Sequence, residues 1–298
     1  MTTLDHAPEL IDRPRPPVAL LTPRSLDEAL RLLAAEGAAV LGGGVGHTLR
    51  RHERLPAGAT ALVSVGALPE LTAITWAEDH IAIGAAVRLS TIESDLRLAG
   101  VWPMVTQAAG SVATARIRRM VTLGGNIAAD DDSHDPPVAL AAAGARLTVR
   151  SAQSTRTLGI GEVGDLRPGE LVQDVRLPIP RAIGFGSAYE KFLVRGLWEY
   201  ACVNVGAVVH LDDAGALRQL SLAVGSVEQG PVTVDLADLR GGPLDAAAVA
   251  EAARRAAAVT RPYSDVRGSA AYKSRMIAEF TRRAMITAAH RAAEGAVR

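Results

Sequence analysis

Three consecutive glycines interrupt the chain directly after a short apolar run. Ala38–Leu41 is followed by Gly42-Gly43-Gly44 and then by Val45-Gly46-His47. Residues without a Cβ leave their amides unshielded, and successive N–H groups then form a concavity that admits an anion. A tight turn from strand to helix uses the same residues, so both readings stand. Two familiar phosphate loops are excluded: counted from Gly42, the last glycine of G-x-G-x-x-G falls on His47, and no Lys follows as a P-loop requires. A second glycine pair occurs in Thr122-Leu123-Gly124-Gly125-Asn126, where Asn126 adds a side chain that donates and accepts. Downstream lie Asp130-Asp131-Asp132 and Asp135-Pro136. The run reads as a solvated loop, and Asp135 before proline as a helix cap. EF-hand spacing is absent, so no metal site is assigned.

Around these clusters the pattern is mixed helix and strand. Ser25–Glu36 places leucines at helical spacing behind an N-cap serine, with Glu28 three residues on and Gly37 as the stop. Ala38–Leu41, Ala61–Val65 and Ile81–Ala85 read as strands, a stretch from Ser90 and Trp102–Ala109 as helices, and 122–137 as loop. A helix over Pro137–Ala143 and a strand over Ala145–Arg150 follow. Prolines at 178 and 180 mark a domain boundary. Beyond it Ser187–Phe192, Ala201–Leu211 and Leu217–Val224 read as antiparallel strands, with a turn at Asp212–Gly215. Leu244–Ala258 and Ala271–Ala288 are helices by period.

Composition removes several function classes. The 298 residues carry 32 basic and 32 acidic side chains, a balance that argues against a nucleic-acid binder. No apolar run approaches the roughly 18 residues of a membrane span. Met1–Pro17 has Asp5, Glu9 and Asp12 and no apolar core, which is unlike a signal peptide, so a cytoplasmic setting is expected. Cys202 stands alone, whereas an iron–sulfur cluster takes about four thiolates. Lysine occurs only at 191 and 273, and asparagine only at 126 and 204. In so Arg- and Ala-rich a chain, rarity alone marks these four positions for attention.

Val40–His47, Thr122–Asp135, Ala223-Val224-Gly225-Ser226-Val227 and Ser264–Tyr272, in this order and at these separations, resemble the FAD-binding (medium) subunits of the molybdenum hydroxylases, the carbon monoxide dehydrogenase and xanthine dehydrogenase flavoprotein family. The resemblance runs from about Arg15 to Ala288. It implies an α+β fold: a two-lobed FAD-binding domain of the p-cresol methylhydroxylase type over 1–178 (lobes about 15–56 and 57–178) and a small α+β C-terminal domain over 179–298. It also implies how FAD is held. Val40, Leu41, Gly42, Gly43, Gly44, Val45, Gly46 and His47 would wrap the pyrophosphate, with Thr122, Leu123, Gly124, Gly125 and Asn126 opposite. Asp135 would accept from flavin-chain hydroxyls. Val112, Ile127 and Leu166 would lie near the ring, and Tyr189 and Lys191 would approach it from the second domain.

Two departures stand out. Where the family has a polar pair after the first Gly-Gly, this chain has Val45 and Gly46. Upstream of Thr122 it has Ala113-Thr114-Ala115-Arg116-Ile117-Arg118-Arg119, where the arginines suit the Asp130–Asp132 loop, an acidic partner or, equally, a solvated face. His134 is expected in solvent, Cys202 buried and inert, and Trp198 at an interface or in the core. The resemblance implies an oxidoreductase without a catalytic nucleophile or base. It would take electrons from the [2Fe-2S] clusters of a small subunit, beside a molybdopterin large subunit, to FAD and on to NAD, a quinone or O₂. The residues also fit a free-standing FAD-dependent oxidoreductase with its own small-molecule substrate, or a non-catalytic flavin-binding protein.

Overall fold

The computed structural model describes residues 18–49, 58–180, 183–196 and 198–295. The Met1–Pro17 lead, the join of the two expected lobes (50–57) and part of the proline-marked boundary (181–182) lie outside them. The fold is α+β, with three sheets.

The first sheet is parallel and three-stranded, Ala19–Leu21 and Ala38–Leu41 flanking Ala61–Ser64. The helix Leu26–Leu33 covers it. Ser25 caps that helix by accepting from the Glu28 N–H at 3.2 Å, and Leu26, Ala29, Leu30 and Leu33 face inward. The Glu28 carboxylate reaches back to the Arg24 N–H at 2.7 Å.

The second sheet orders Ile74–Trp76, His80–Gly84, Leu171–Pro178, Arg146–Arg150 and Thr155–Gly159, all antiparallel. Leu171, Val175 and Leu177 are buried in Leu171–Pro178, a strand that the proline reading ran past. Asp174 is buried in the same strand on the opposite face from Val175 and Leu177, and its carboxylate accepts from Thr148 Oγ1 at 2.7 Å.

The third sheet is antiparallel, in the order Val232–Thr233, Leu217–Gly225, Val203–Leu211, Phe185–Phe192. The turn expected at Asp212–Gly215 is present, and Asp212 accepts from the N–H groups of Ala214 and Ala216. One face of this sheet packs on the helices Ala246–Val259 and Ala270–Gly295. The other meets the helix Asp135–Ala142, and two glycines set that distance: a Cβ on Gly206 would stand 3.0 Å from Ala142 Cβ, and one on Gly225 only 2.3 Å from Val138 Cγ2. Trp102 ties the same junction, donating to the Pro178 carbonyl at 2.7 Å with its ring edge-on to Phe185.

Residues 122–137 are not a simple loop. Leu123–Ile127 is a helical turn capped by Thr122, and the next helix starts at Asp135, two residues earlier than its proline pattern suggests. Among the described residues, no helix is long and apolar enough to cross a membrane.

Candidate functional site

The strand Ala38–Leu41 delivers Gly42–Gly44 against Met120–Gly125, so the two glycine clusters meet. A Cβ on Gly43 would stand 1.9 Å from the Met120 carbonyl oxygen, and one on Gly42 2.6 Å from Thr122 Oγ1. The second cluster is fixed in turn on the strand end at Ala85. Gly124 N–H donates to the Ala85 carbonyl at 2.8 Å and Leu123 N–H to that of Val87 at 2.9 Å, while a Cβ on Gly124 would lie 2.6 Å from Ala85 Cβ. Backbone meets backbone here, which only glycine permits.

The remaining glycines of the first cluster are open. Gly44 has φ +75° and its virtual Cβ meets only Leu41 Cδ1 at 3.6 Å; around Gly46 there is nothing within 4 Å. Val40 and Leu41 end the strand, half-buried; Val45, Gly46 and His47 lie in a short helix, Val45–Leu49. His47 is tied to its own loop, with Nε2 3.0 Å from the Val40 carbonyl. In the second cluster Gly125 is exposed, whereas Thr122, Leu123, Gly124, Asn126 and Ile127 are buried. The Asn126 side-chain oxygen is buried without a hydrogen-bond partner, the kind of orphan that a bound molecule satisfies.

Asp135, Tyr189 and Lys191 form a second group. Tyr189 and Lys191 alternate onto the sheet face that meets the helix at Asp135. The Tyr189 hydroxyl donates to Asp135 Oδ1 at 2.5 Å and Lys191 Nζ to Oδ2 at 2.8 Å; Lys191 also donates to the Ser111 carbonyl at 3.0 Å. Lys191 sits on the edge strand, yet its side chain is only 9% exposed and that of Asp135 5%, so this is a buried ion pair and not a surface lysine. Burial pushes the Asp135 carboxyl above its ordinary value, against the charge of Lys191 and the two hydrogen bonds. Burial and the neighbouring Asp135 push the Tyr189 phenol well above its own.

Several expectations need correction. Asp135 is not a cap: the N-cap position belongs to His134, and the Asp135 carboxylate turns to Tyr189 and Lys191. His134 is not in solvent; its side chain is 17% exposed and Nδ1 lies 2.8 Å from the Asn126 carbonyl. Arg118 does not reach the aspartate run. It grips Glu93 at 2.7 and 2.9 Å and donates to the carbonyls of Val112 and Ala113, while Arg116 and Arg119 are exposed. Trp198 is 71% exposed rather than core. Cys202 is buried as expected, and burial raises its thiol. Val112 and Leu166 are half-buried against the main core.

Sequence reading singled out Asn204 only for its rarity and Ser226 only within a motif, and gave neither a role in the site. Asn204 Nδ2 donates to the Tyr189 oxygen at 3.2 Å, and Ser226 Oγ donates to Asn204 Oδ1 at 3.3 Å, which fixes the orientation of the tyrosine. The scarcity of asparagine was the available signal. Lys273, the other lysine, is fully buried 3.0 Å from Asp265 and lies 4.3 Å over the Tyr263 ring. Burial opposes ionisation of Asp265, but Arg267 and Lys273 hold its carboxyl down at about 2.

Comparison with known proteins gives two family matches in tandem. Residues 16–180 match the FAD binding domain in molybdopterin dehydrogenase, and residues 187–288 the CO dehydrogenase flavoprotein C-terminal domain. The 6-hydroxypseudooxynicotine dehydrogenase complex subunit alpha of Paenarthrobacter nicotinovorans is 30% identical over 279 residues, covering 90% of this chain and 93% of that one. The carbon monoxide dehydrogenase medium chain of Afipia carboxidovorans is 30% identical over 286 residues, 91% of this chain and 96% of that one. A crystal structure of the Cu,Mo-CO dehydrogenase in its cyanide-inactivated form contains a chain that superposes with a TM-score of 0.84 at 29% identity, over 93% of this chain and 100% of that one.

Proposed function

Because the chain belongs to the family of FAD-binding subunits of molybdenum hydroxylase-type dehydrogenases, we propose that its FAD lies between the open face of the glycine junction and the Asp135–Tyr189–Lys191 group. The cofactor is FAD and the activity class oxidoreductase. The observation that carries the placement is the glycine junction. The missing Cβ of Gly44 has only Leu41 Cδ1 near it, at 3.6 Å, and that of Gly46 has nothing within 4 Å, while in the second glycine cluster Asn126 holds an orphaned oxygen. Such a surface fits a pyrophosphate and the chain that follows it.

In this reading the backbone of Val40–His47 and Thr122–Asn126 holds the phosphates. Asp135 holds Lys191 and Tyr189 in place, and a cation there stabilises negative charge on the ring. Val112, Ile127 and Leu166 supply apolar contact. Bound FAD supplies the redox chemistry: electrons from the [2Fe-2S] clusters of a small subunit, beside a molybdopterin large subunit, passing on to NAD, a quinone or O₂. The protein contributes binding and orientation, and no nucleophile or general base is needed. We place the domain boundary at 178/179 and the complex in the cytoplasm.

The test is to purify the tagged chain alone and from its native host. Alone, it should carry flavin that dithionite reduces and that aldehydes, purines, N-heterocycles and carbon monoxide do not. From the host, iron and molybdenum should co-elute with it. Turnover of an organic substrate by the chain alone, with no metal present, would overturn this reading in favour of a free-standing flavoenzyme.

A further inference from the structure

We propose that Arg88 is the cation that neutralises the cofactor's pyrophosphate, an inference that rests on the placement of FAD at the glycine junction. A pyrophosphate brings negative charge that amide dipoles solvate but do not cancel, and a guanidinium is the side chain best shaped to pair with it. Neither phosphate-facing segment offers such a charge. Val45 and Gly46 are uncharged, and the His47 ring is held by the Val40 carbonyl.

Arg88 comes from outside both segments. Its backbone bridges to Thr122, and the flanking Val87 and Leu89 are buried, so its starting point is rigid. The guanidinium lies where three loops meet. Nη1 is 2.9 Å from the place a Gly43 Cβ would take, and Nη2 is 3.3 Å from that of Gly66. Nη1 donates to the Met120 carbonyl, and among the described residues this is the only hydrogen bond of the side chain. Arg118, Arg156, Arg255 and Arg267 each pair with a carboxylate. Among the described residues Arg88 pairs with none, although it is half-buried at the junction of the lobes. The glycine at 43 thus has a second consequence, in that it admits the guanidinium to the cradle.

The experiment titrates FAD into the flavin-stripped chain as wild type, Arg88→Gln, Arg88→Lys and Gly46→Asp, across a series of salt concentrations. Urea unfolding of each flavin-free protein runs beside it. Arg88→Gln keeps a donor for Met120 but loses the charge. It should weaken FAD about 10- to 100-fold, the equivalent of one charge-assisted hydrogen bond, and flatten the salt dependence while the urea midpoint stays put. Arg88→Lys should recover most of the affinity and the salt slope. Gly46→Asp puts a carboxylate into open space beside the proposed phosphates and should weaken FAD without unfolding the chain. If Gly46→Asp weakens FAD but Arg88→Gln binds it as wild type does, the role of Arg88 is overturned and the placement stands. If Gly46→Asp has no effect, the placement itself fails and the proposal with it. A fall in affinity for Arg88→Gln with an unchanged salt slope and a lowered urea midpoint would make Arg88 only a clasp between loops, and would also overturn it.

Discussion

Lys191→Met is expected to destabilise the protein in a manner that depends on pH. The Lys191–Asp135 pair is 2.8 Å apart with both side chains at least nine-tenths buried. Removing one partner of such a pair leaves an uncompensated buried charge, which costs about 3–5 kcal/mol. Asp135 has an escape, because burial already raises its carboxyl above the ordinary value and it can take up a proton. The sign follows from that direction. A carboxyl whose folded pKa exceeds its unfolded one adds stability below the unfolded value and loses it as pH rises through the folded one. Without Lys191 the folded value climbs further, since the charge and hydrogen bond that restrained it are gone. The loss should therefore be small in acid, then grow by about 1.4 kcal/mol per pH unit above the wild-type value, and level off near the figure for a broken pair. Urea unfolding of the flavin-free protein at intervals from pH 5 to 8 reads it directly. The double variant Lys191→Met with Asp135→Asn removes both charges and should recover most of the loss at pH 8. A loss of the same size at every pH, or a double variant as weak as the single one, would refute the argument.

Gly43→Ala should cost about 1–3 kcal/mol, because its Cβ would sit 1.9 Å from the Met120 carbonyl, whereas Gly46→Ala meets nothing within 4 Å and should stay within about 0.5 kcal/mol of wild type; thermal unfolding of the two side by side decides it, and equal effects would contradict the close approach. Asp135→Ala should weaken FAD more than Asp130→Ala, since Asp135 orients Lys191 and Tyr189 while Asp130 is exposed; titration of the flavin-free variants ranks them, and a larger loss at Asp130 would remove Asp135 from the site.

Local signals were legible wherever a short segment decides its own conformation. Ser25 with its leucines set the first helix, and Asp212–Gly215 set its turn. The helical turn at Leu123–Ile127 was hidden, since Gly-Gly-Asn is a poor helix sequence on its own. What holds it is remote, namely the carbonyls of Ala85 and Val87. Partner choice was equally illegible for charged groups. Arg118 stands a dozen residues from Asp130 but pairs with Glu93, to which the turn at Ser111–Ala113 directs it. Asp135 looked like a cap because proline follows it. Only the third sheet, arriving more than fifty residues later in sequence, brings Tyr189 and Lys191 to its carboxylate.

The glycines themselves separate into two kinds, and the distinction bears on how a flavin cradle is read from a sequence. Gly42, Gly43 and Gly124 are closed off by Thr122, Met120 and Ala85 of the protein itself. Their missing Cβ atoms let the first lobe seat on the second, whatever is bound. Gly44 and Gly46 close on no backbone, and the conformation at Gly44 is left-handed. In the first cluster these two leave space that something outside the loop can fill. Substitutions of the first kind should act through stability and only then through the cofactor; substitutions at Gly46 should act through the cofactor alone. A run of three glycines thus holds two constraints at once. The lobe contact places the loop, and the open residues that follow it are where we propose that amides meet the pyrophosphate, next to the seam at which the missing Gly43 Cβ leaves room for the Arg88 guanidinium.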